Sequence, residues 1–379
     1  MMGKVFVLAP DSFKESMTAK EVCEAMETGI RRAIPDAQCI HVPMADGGEG
    51  TVQSLVDATG GILIDKEVTG PLGTPVQARY GILGDGKTGV IEMASASGIH
   101  HVNKDTKNPL VTTTLGTGEL IRDCIGRGIS EIILGVGGSA TNDGGAGMAS
   151  ALGYRFLDKD GLELPPGGGF LDRLERIDTA QVLPQLQNVR FLVASDVTNP
   201  LCGERGASAV FGPQKGATPE MVKTLDRNLR HYSTVISRAL GIDIADIPGA
   251  GAAGGLGGGL LAFTKATMKK GIEIVIEYTR LKEKLKAADY CFTGEGGIDF
   301  QTKFGKAPFG VAQAAKSVNP DIKVIALAGY IGVDIETLYD EGFNAIFGIV
   351  PGAAALETLL AEGQANVTRT AESIARLLR

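Results

Sequence analysis

Short apolar runs alternate with amphipathic stretches at both ends of the chain. Val5 to Ala9 (VFVLA) is a continuous apolar run of strand length, halted by Pro10 and Asp11. A run of that size without alternation suits a strand buried on both faces of a parallel sheet. From about Thr18 to Ala33 the period becomes helical: Val22, Ala25, Met26, Gly29, Ile30 and Ala33 share one stripe, and Thr18 and Glu21 have capping-box spacing. Cys39 to Pro43 reads as a second strand, and the glycine-rich MADGGEGT of Met44 to Thr51 leads from it into another helix. This β-α-β-α order opens a parallel sheet. The last third repeats it, with strands at Tyr290 to Thr293, Val324 to Ala328 and Ala345 to Val350 alternating with helices near Pro308 to Ser317, Asp334 to Tyr339 and Ala354 to Arg379.

Between the two ends the texture differs. Val68 to Glu92 is rich in turns and short alternating segments, a helix over Gly118 to Ile125 precedes the apolar strand Glu131 to Val136, and a further strand is expected at Val189 to Ala194. A long helix spans Pro219 to Leu240, with Thr218 as N-cap and Pro219 at its first position. The rhythm shared by the two ends predicts an α/β protein of two domains: a parallel sheet domain of residues 1–66 and 286–379, and an α/β domain of residues 67–285 inserted into it.

Composition narrows the function. A formal net charge of −7 over 379 residues argues against a nucleic-acid groove, which shows a basic face. Any phosphate must therefore be met by local donors. No apolar stretch reaches the length of a membrane span, and VFVLA is too short for a secretory signal, so a cytoplasmic protein is expected; the sequon at Asn366 to Thr368 is then without consequence. Cys23, Cys39, Cys124, Cys202 and Cys291 are widely spaced with no CxxC pair, which suits free thiols. The adjacent His100 and His101 would point apart on a strand, and no metal is assigned to them. The 53 glycines fall in clusters between apolar runs, as expected where many strand-to-helix turns bring backbone close to a ligand.

Two motifs mislead. Gly81 to Thr88 (GILGDGKT) spells the P-loop pattern, but Asp85-Gly86 reads as a hairpin turn and the GVIEM beyond it as a strand, where a P-loop needs a helix. Gly135, Gly137 and Ala140 fit a dinucleotide fingerprint after a strand, yet the acid at the required distance, Asp158, sits in the turn sequence DKDG. The Gly249, Gly251, Gly254 series follows Pro248 and no clear strand.

The chemistry lies in loops that follow strands. DSFKES (Asp11 to Ser16) offers Lys14 for a carboxylate or a transferring phosphoryl group, and MADGGEGT presents Asp46 and Glu49 among glycines. GVGGSATNDGGAG (Gly135 to Gly147) offers backbone donors and a helix N-terminus suited to phosphate. SDVTN (Ser195 to Asn199) brings Asp196 to a strand end, GAGAAGGLGGG (Gly249 to Gly259) is either a second phosphate cradle or a site of close helix packing, and TGEGGIDFQTKFGK (Thr293 to Lys306) supplies Glu295, Asp299, Gln301 and Lys306. Acids, hydroxyls, lysines and backbone donors without histidine or reactive cysteine suit phosphoryl transfer, which depends on positioning, Mg²⁺ and charge stabilisation.

These loops together resemble the bacterial type of glycerate kinase. The resemblance rests on APDSFKES, PMADGGEGTV, VTGPLG, KNPL, TTTLGTGELI, GVGGSATNDGGAGMA, SDVTNPLCG, FGPQKGA, GAGAAGGLGGG and TGEGGIDFQT followed by GKAP, in collinear order over nearly the whole chain. Gly297 departs from it, since similar proteins often carry arginine after GEG. The resemblance implies ATP-dependent phosphorylation of D-glycerate, giving 2-phosphoglycerate, in a cleft between two α/β domains, the discontinuous one Rossmann- or flavodoxin-like. It further implies that Lys14 and Ser12 meet glycerate or the transferring phosphoryl group, that Asp46 or Asp196 takes the substrate proton, and that Glu49 and Thr51 help bind substrate. Gly137, Gly138, Ser139, Thr141, Gly254 and Gly255 would hold phosphates, and Glu295 and Asp299, with Glu49 as a further candidate, would contact Mg²⁺. Phosphorylation at the 3-hydroxyl and an NAD-linked hydroxy-acid oxidoreductase using the Gly135 loop stand as alternatives, and monomer and homodimer both stay open.

Overall fold

The computed structural model describes residues 3–379. Its strands in chain order are β1 (Val5–Leu8), β2 (Gln38–His41), β3 (Ile62–Thr69), β4 (Pro75–Ile82), β5 (Thr88–Glu92), β6 (Glu131–Gly135), β7 (Arg155–Leu157), β8 (Arg176–Asp178), β9 (Arg190–Ala194), β10 (Thr267–Lys269), β11 (Tyr290–Ile298), β12 (Lys323–Ile331) and β13 (Ala345–Gly348). The chain forms two compact units, one of residues 3–46, 53–60 and 270–379, the other of residues 47–52 and 61–269.

The first unit is a five-stranded sheet in the order β13-β12-β11-β1-β2, parallel throughout. Phe6, Val7 and Leu8 are fully buried, as the unbroken apolar run requires. On one side Phe6 and Leu8 meet Val22, Met26 and Ile30 of the helix Ala19–Ala33 and Val367, Ala371 and Ile374 of the helix Gly363–Leu378. Thr18 caps the first of these helices in a capping box with Glu21. From β1 the chain moves outward to β2, and from β11 it moves outward the other way to β12 and β13. The strand order therefore reverses between β1 and β11, the point at which open parallel sheets bind ligands beyond their carboxyl ends.

The second unit is a six-stranded mixed sheet in the order β10-β9-β6-β5-β4-β3. β5, β6, β9 and β10 run parallel, while β3 to β5 are joined as antiparallel neighbours. Asp85 accepts the N–H groups of Lys87 and Thr88, and Gly86 takes φ 67°, so the P-loop look-alike is the turn of the β4–β5 hairpin. The helix Pro219–Leu240 starts at an N-cap Thr218 and covers this unit's core through Leu229, Tyr232, Val235 and Ile236. β7 and β8 form a separate two-stranded antiparallel sheet.

Some elements differ from expectation. His100 and His101 lie in the 3-10 turn Ile99–His101, not on a strand, and their rings touch with centroids 4.1 Å apart. A single turn of helix directs successive side chains less divergently than a pleat does. The final helix is two, Leu356–Ala361 and Gly363–Leu378, and Ile335–Glu341 is 3-10 rather than α. The five cysteines are free thiols. No helix among the described residues is long and apolar enough to cross a membrane.

Candidate active site

In the first unit, the segments leaving β1 and β2 and the end of β11 bring three carboxylates into electrostatic range. The Asp11 N–H donates to Gly294 O at 2.8 Å, which fixes the exit of β1 against β11. Burial, and then the negative charge of Asp46, push the Asp11 carboxyl up to about 7; the Ser12 N–H pulls the other way and Glu295 adds to the rise. Burial likewise raises Glu295, against Lys306, whose Nζ donates to Glu295 Oε1 at 3.1 Å. Thr302 Oγ1 donates to the same oxygen at 3.2 Å, so both contacts fall on Oε1. Asp299 Oδ1 accepts from Gln301 N at 2.8 Å and caps the following 3-10 turn, again engaging one oxygen of two. Ser12 is half-buried beside Asp11, and Lys14 is exposed on the tight turn in which Phe13 N donates to Met17 O.

In the second unit the candidates gather at the carboxyl ends of β5, β6 and β9. Glu92, the last residue of β5, accepts from Val52 N at 2.9 Å; burial raises its pKa, and Glu49 adds to that. Glu49 itself is exposed, and Thr51 is buried with its hydroxyl unpartnered. After β6, the loop is pinned from one side: Gly138 O accepts from Ile99 N at 2.8 Å, and Ala140 N donates to Ser97 O at 3.0 Å. On its other side Gly137 and Gly138 are exposed, and the N–H groups of Gly137, Gly138 and Ser139 have no acceptor among the described residues. Gly138 holds φ 71°, which a side chain would strain. Successive outward N–H groups form an anion-binding concavity.

The remainder of that loop is interior. Asp143, fully buried, accepts from Thr114 N, Thr114 Oγ1, Gly145 N and Gly147 N at 2.8 to 3.2 Å. Asn142 is buried and donates to Ser208 Oγ. Gly254 and Gly255 lie under it: a Cβ on Gly254 would stand 2.0 Å from Thr141 O, and one on Gly255 2.9 Å from Gly144 Cα. Both glycines serve close packing beneath the loop, and their α-carbons face protein. Asp196 is exposed in the irregular segment after β9.

Two residues stand out that the sequence did not assign. Asp11 stands in DSFKES beside the Lys14 singled out there, and Lys215 lies in FGPQKGA, a string to which no role is assigned from the sequence. Lys215 is in fact 1 % exposed, and its Nζ donates to Ser139 Oγ at 2.7 Å and to Thr141 O at 2.6 Å. Its only sequence signal is confinement between Pro213 and Gly216, the latter at φ 91°. The dinucleotide reading loses its support here. Asp158 accepts from Asp160 N and Leu162 N in a turn, and it follows β7, which belongs to a separate antiparallel pair, so it does not close the second parallel strand as the fingerprint requires.

Comparison with known proteins gives one consistent answer. The model of the glycerate kinase family matches residues 6–379. The chain is 53% identical over 373 residues to glycerate kinase of Haemophilus influenzae, covering 98% of each chain. It is 48% identical over 372 residues to glycerate 2-kinase of Escherichia coli, covering 98% of this chain and 97% of that one. A crystal structure assigned as a glycerate kinase 2 of Salmonella typhimurium LT2 superposes with a TM-score of 0.92 at 48% identity, over 99% of this chain and 98% of that one.

Proposed function

This chain belongs to the glycerate kinase family and is a kinase, and from that premise we propose that it transfers the terminal phosphoryl group of ATP to the 2-hydroxyl of D-glycerate. The observation that carries the 2-position is the 48% identity, spread over 98% of the chain, to a glycerate 2-kinase. In this reading the unpaired N–H groups of Gly137, Gly138 and Ser139 receive nucleotide phosphates, and Thr141 closes the loop. Lys14 and Ser12 meet the carboxylate or the transferring group, and Glu49 and Thr51 help hold the substrate. Asp46 takes the hydroxyl proton, because the segment leaving β2 brings its carboxylate within electrostatic range of Asp11 and Glu295, beyond the carboxyl ends of the strands where the order reverses. Asp196, exposed after β9, is the second candidate for that role.

Among the described residues no three His, Cys, Asp or Glu side chains gather so as to hold a metal. Mg²⁺ carried on a triphosphate keeps water and phosphate ligands and needs only one or two carboxylates. Glu295 and Asp299 each have one oxygen outside the hydrogen bonds described above and would be those contacts. When bound, Mg²⁺ neutralises phosphate charge.

Incubation with MgATP and D-glycerate, followed by proton-coupled phosphorus NMR, tests the reading. A phosphate ester on C2 couples to one proton and appears as a doublet, whereas an ester on C3 couples to two and appears as a triplet. We expect the doublet; a triplet assigns the 3-hydroxyl, and no ester sinks the proposal. Asp46→Asn is expected to lower kcat by about 10³-fold with nucleotide binding kept, and Asp196→Asn by less than about tenfold. The reverse order would move the base to Asp196.

A further inference from the structure

Lys215 is the single buried lysine among the described residues. An ammonium in the interior carries a heavy desolvation cost, and apolar replacements of buried charges are often neutral or stabilising. A lysine kept there solely to pin a loop would be a poor solution. Its two hydrogen bonds, to Ser139 Oγ and Thr141 O, both end on the loop in which the N–H groups of Gly137, Gly138 and Ser139 have no acceptor among the described residues. The hydroxyl of Thr141, fully buried, has no partner. The carboxylate that bears on Lys215, Asp143, is already shared among Thr114, Gly145 and Gly147, so it leaves the ammonium incompletely neutralised.

We infer that Lys215 is a positioning residue for the nucleotide: from behind the Gly137–Thr141 loop it fixes Ser139 and Thr141 and supplies the buried positive charge that a polyphosphate meets across the loop backbone. The inference rests on the assignment of that loop to nucleotide phosphates. An anion on the far side of a thin backbone layer feels such a charge strongly, because the intervening medium is protein rather than water.

Titration follows from the same geometry. Burial pulls the Lys215 ammonium down to about 7, against the pull of Asp143. Asp143 also bears on Tyr232, which burial and that carboxylate hold neutral, and Lys107 has its Cβ beside Gly216, the residue after Lys215. A polyphosphate docking above a partly deprotonated amine raises its proton affinity, so binding above neutral pH takes up a proton.

The test compares the wild type with Lys215→Met. In initial rates the variant is expected to raise the KM for MgATP about tenfold or more while the KM for D-glycerate changes less than about threefold, with the thermal midpoint held or raised. Calorimetric titration of inorganic tripolyphosphate at about pH 8, in buffers of different ionisation heat, is expected to show proton uptake by the wild type and none of that component in the variant. Equal KM values with equal proton uptake overturn the role of Lys215, and so does a variant that melts lower with both KM values raised alike. If Lys215→Met does not fold, proton uptake by the wild type decides: its absence overturns the proposal. Hydrogen exchange of the wild type separates the two levels. MgADP is expected to protect residues 135–141; protection with an unchanged KM in the variant removes Lys215 alone, and no protection removes the loop assignment and the proposal with it.

Discussion

Asp11 illustrates how a single carboxyl can be costly to the fold that holds it. It is an acid whose pKa in the folded protein, about 7, lies above the ordinary 3.8. Between those values the folded state binds more protons than the unfolded one, so this group's contribution falls as pH rises through the window and the penalty persists above it. Asp11→Asn removes the ionisation and keeps Oδ1, the atom that accepts from Ser12 N at 2.6 Å. Urea unfolding is therefore expected to find the variant more stable above pH 7, by up to about 4 kcal/mol, with the advantage gone below about pH 4. A variant no more stable at pH 8 would show that Asp11 ionises without strain. Residues of this kind are the least legible in a sequence. Asp46, Glu49 and Glu295 advertise themselves because they stand among glycines, but Asp11 and Lys215 owe their character to what packs around them. No local spacing records that a lysine in FGPQKGA is buried, since lysine is among the residues least often found inside.

Elements were more readable, because their signals are local. Thr18 and Glu21 announced one helix and Thr218-Pro219 another, and both start where those residues stand. The hairpin turn at Asp85-Gly86 exposed the false P-loop for the same reason. The histidine pair misled because two residues are too few to show a period. How elements are tied together is far less readable, and Asp123 shows why: besides Arg127 at the end of its own helix, its partners come from two distant strands. Asp123, on the helix Leu115–Gly126, receives Lys66 Nζ of β3 at 3.0 Å, Tyr80 Oη of β4 at 2.6 Å and Arg127 Nε at 2.8 Å. Burial pushes its pKa up, but these bonds outweigh burial and hold it at about 2. A depressed acid stabilises the fold above its unfolded value and loses that contribution as pH falls through the folded one. Asp123→Asn is expected to cost about 1 to 2 kcal/mol at pH 7, discounted because Lys66 and Arg127 are half exposed. The gap to wild type should close as denaturation curves are taken from about pH 4 to about pH 2; a constant gap would assign the effect to packing.

At the scale of the whole chain, rhythm alone predicted an insertion at residues 67–285, whereas the contacts divide at Gly61 and Lys269. Both differences have local causes. β3 is bound along its length to β4, so it goes with the hairpin that follows it rather than with the helix before it. The helices Gly271–Tyr278 and Leu281–Leu285 join the first unit, where Ile272 lies against Gly310 of the helix Ala307–Val318. Segment 61–269 then carries a complete six-stranded sheet and a continuous apolar core from Val68 to Ala266. At roughly 200 residues it is large enough to bury that core without help. We therefore expect the isolated segment to fold on its own, giving dispersed amide resonances and one sigmoidal thermal transition. It lacks residues 47–52, and with them the Val52 N–H that Glu92 accepts, so its midpoint should fall below that of the same unit in the full chain. A gradual, featureless melt would mean that the sheet depends on the rest of the chain and that the contact boundary is not a folding boundary. If the segment does fold, a single free energy of unfolding is not defined for the full chain, and the stability changes of Asp11→Asn and Asp123→Asn must be read from separate transitions, one for each unit.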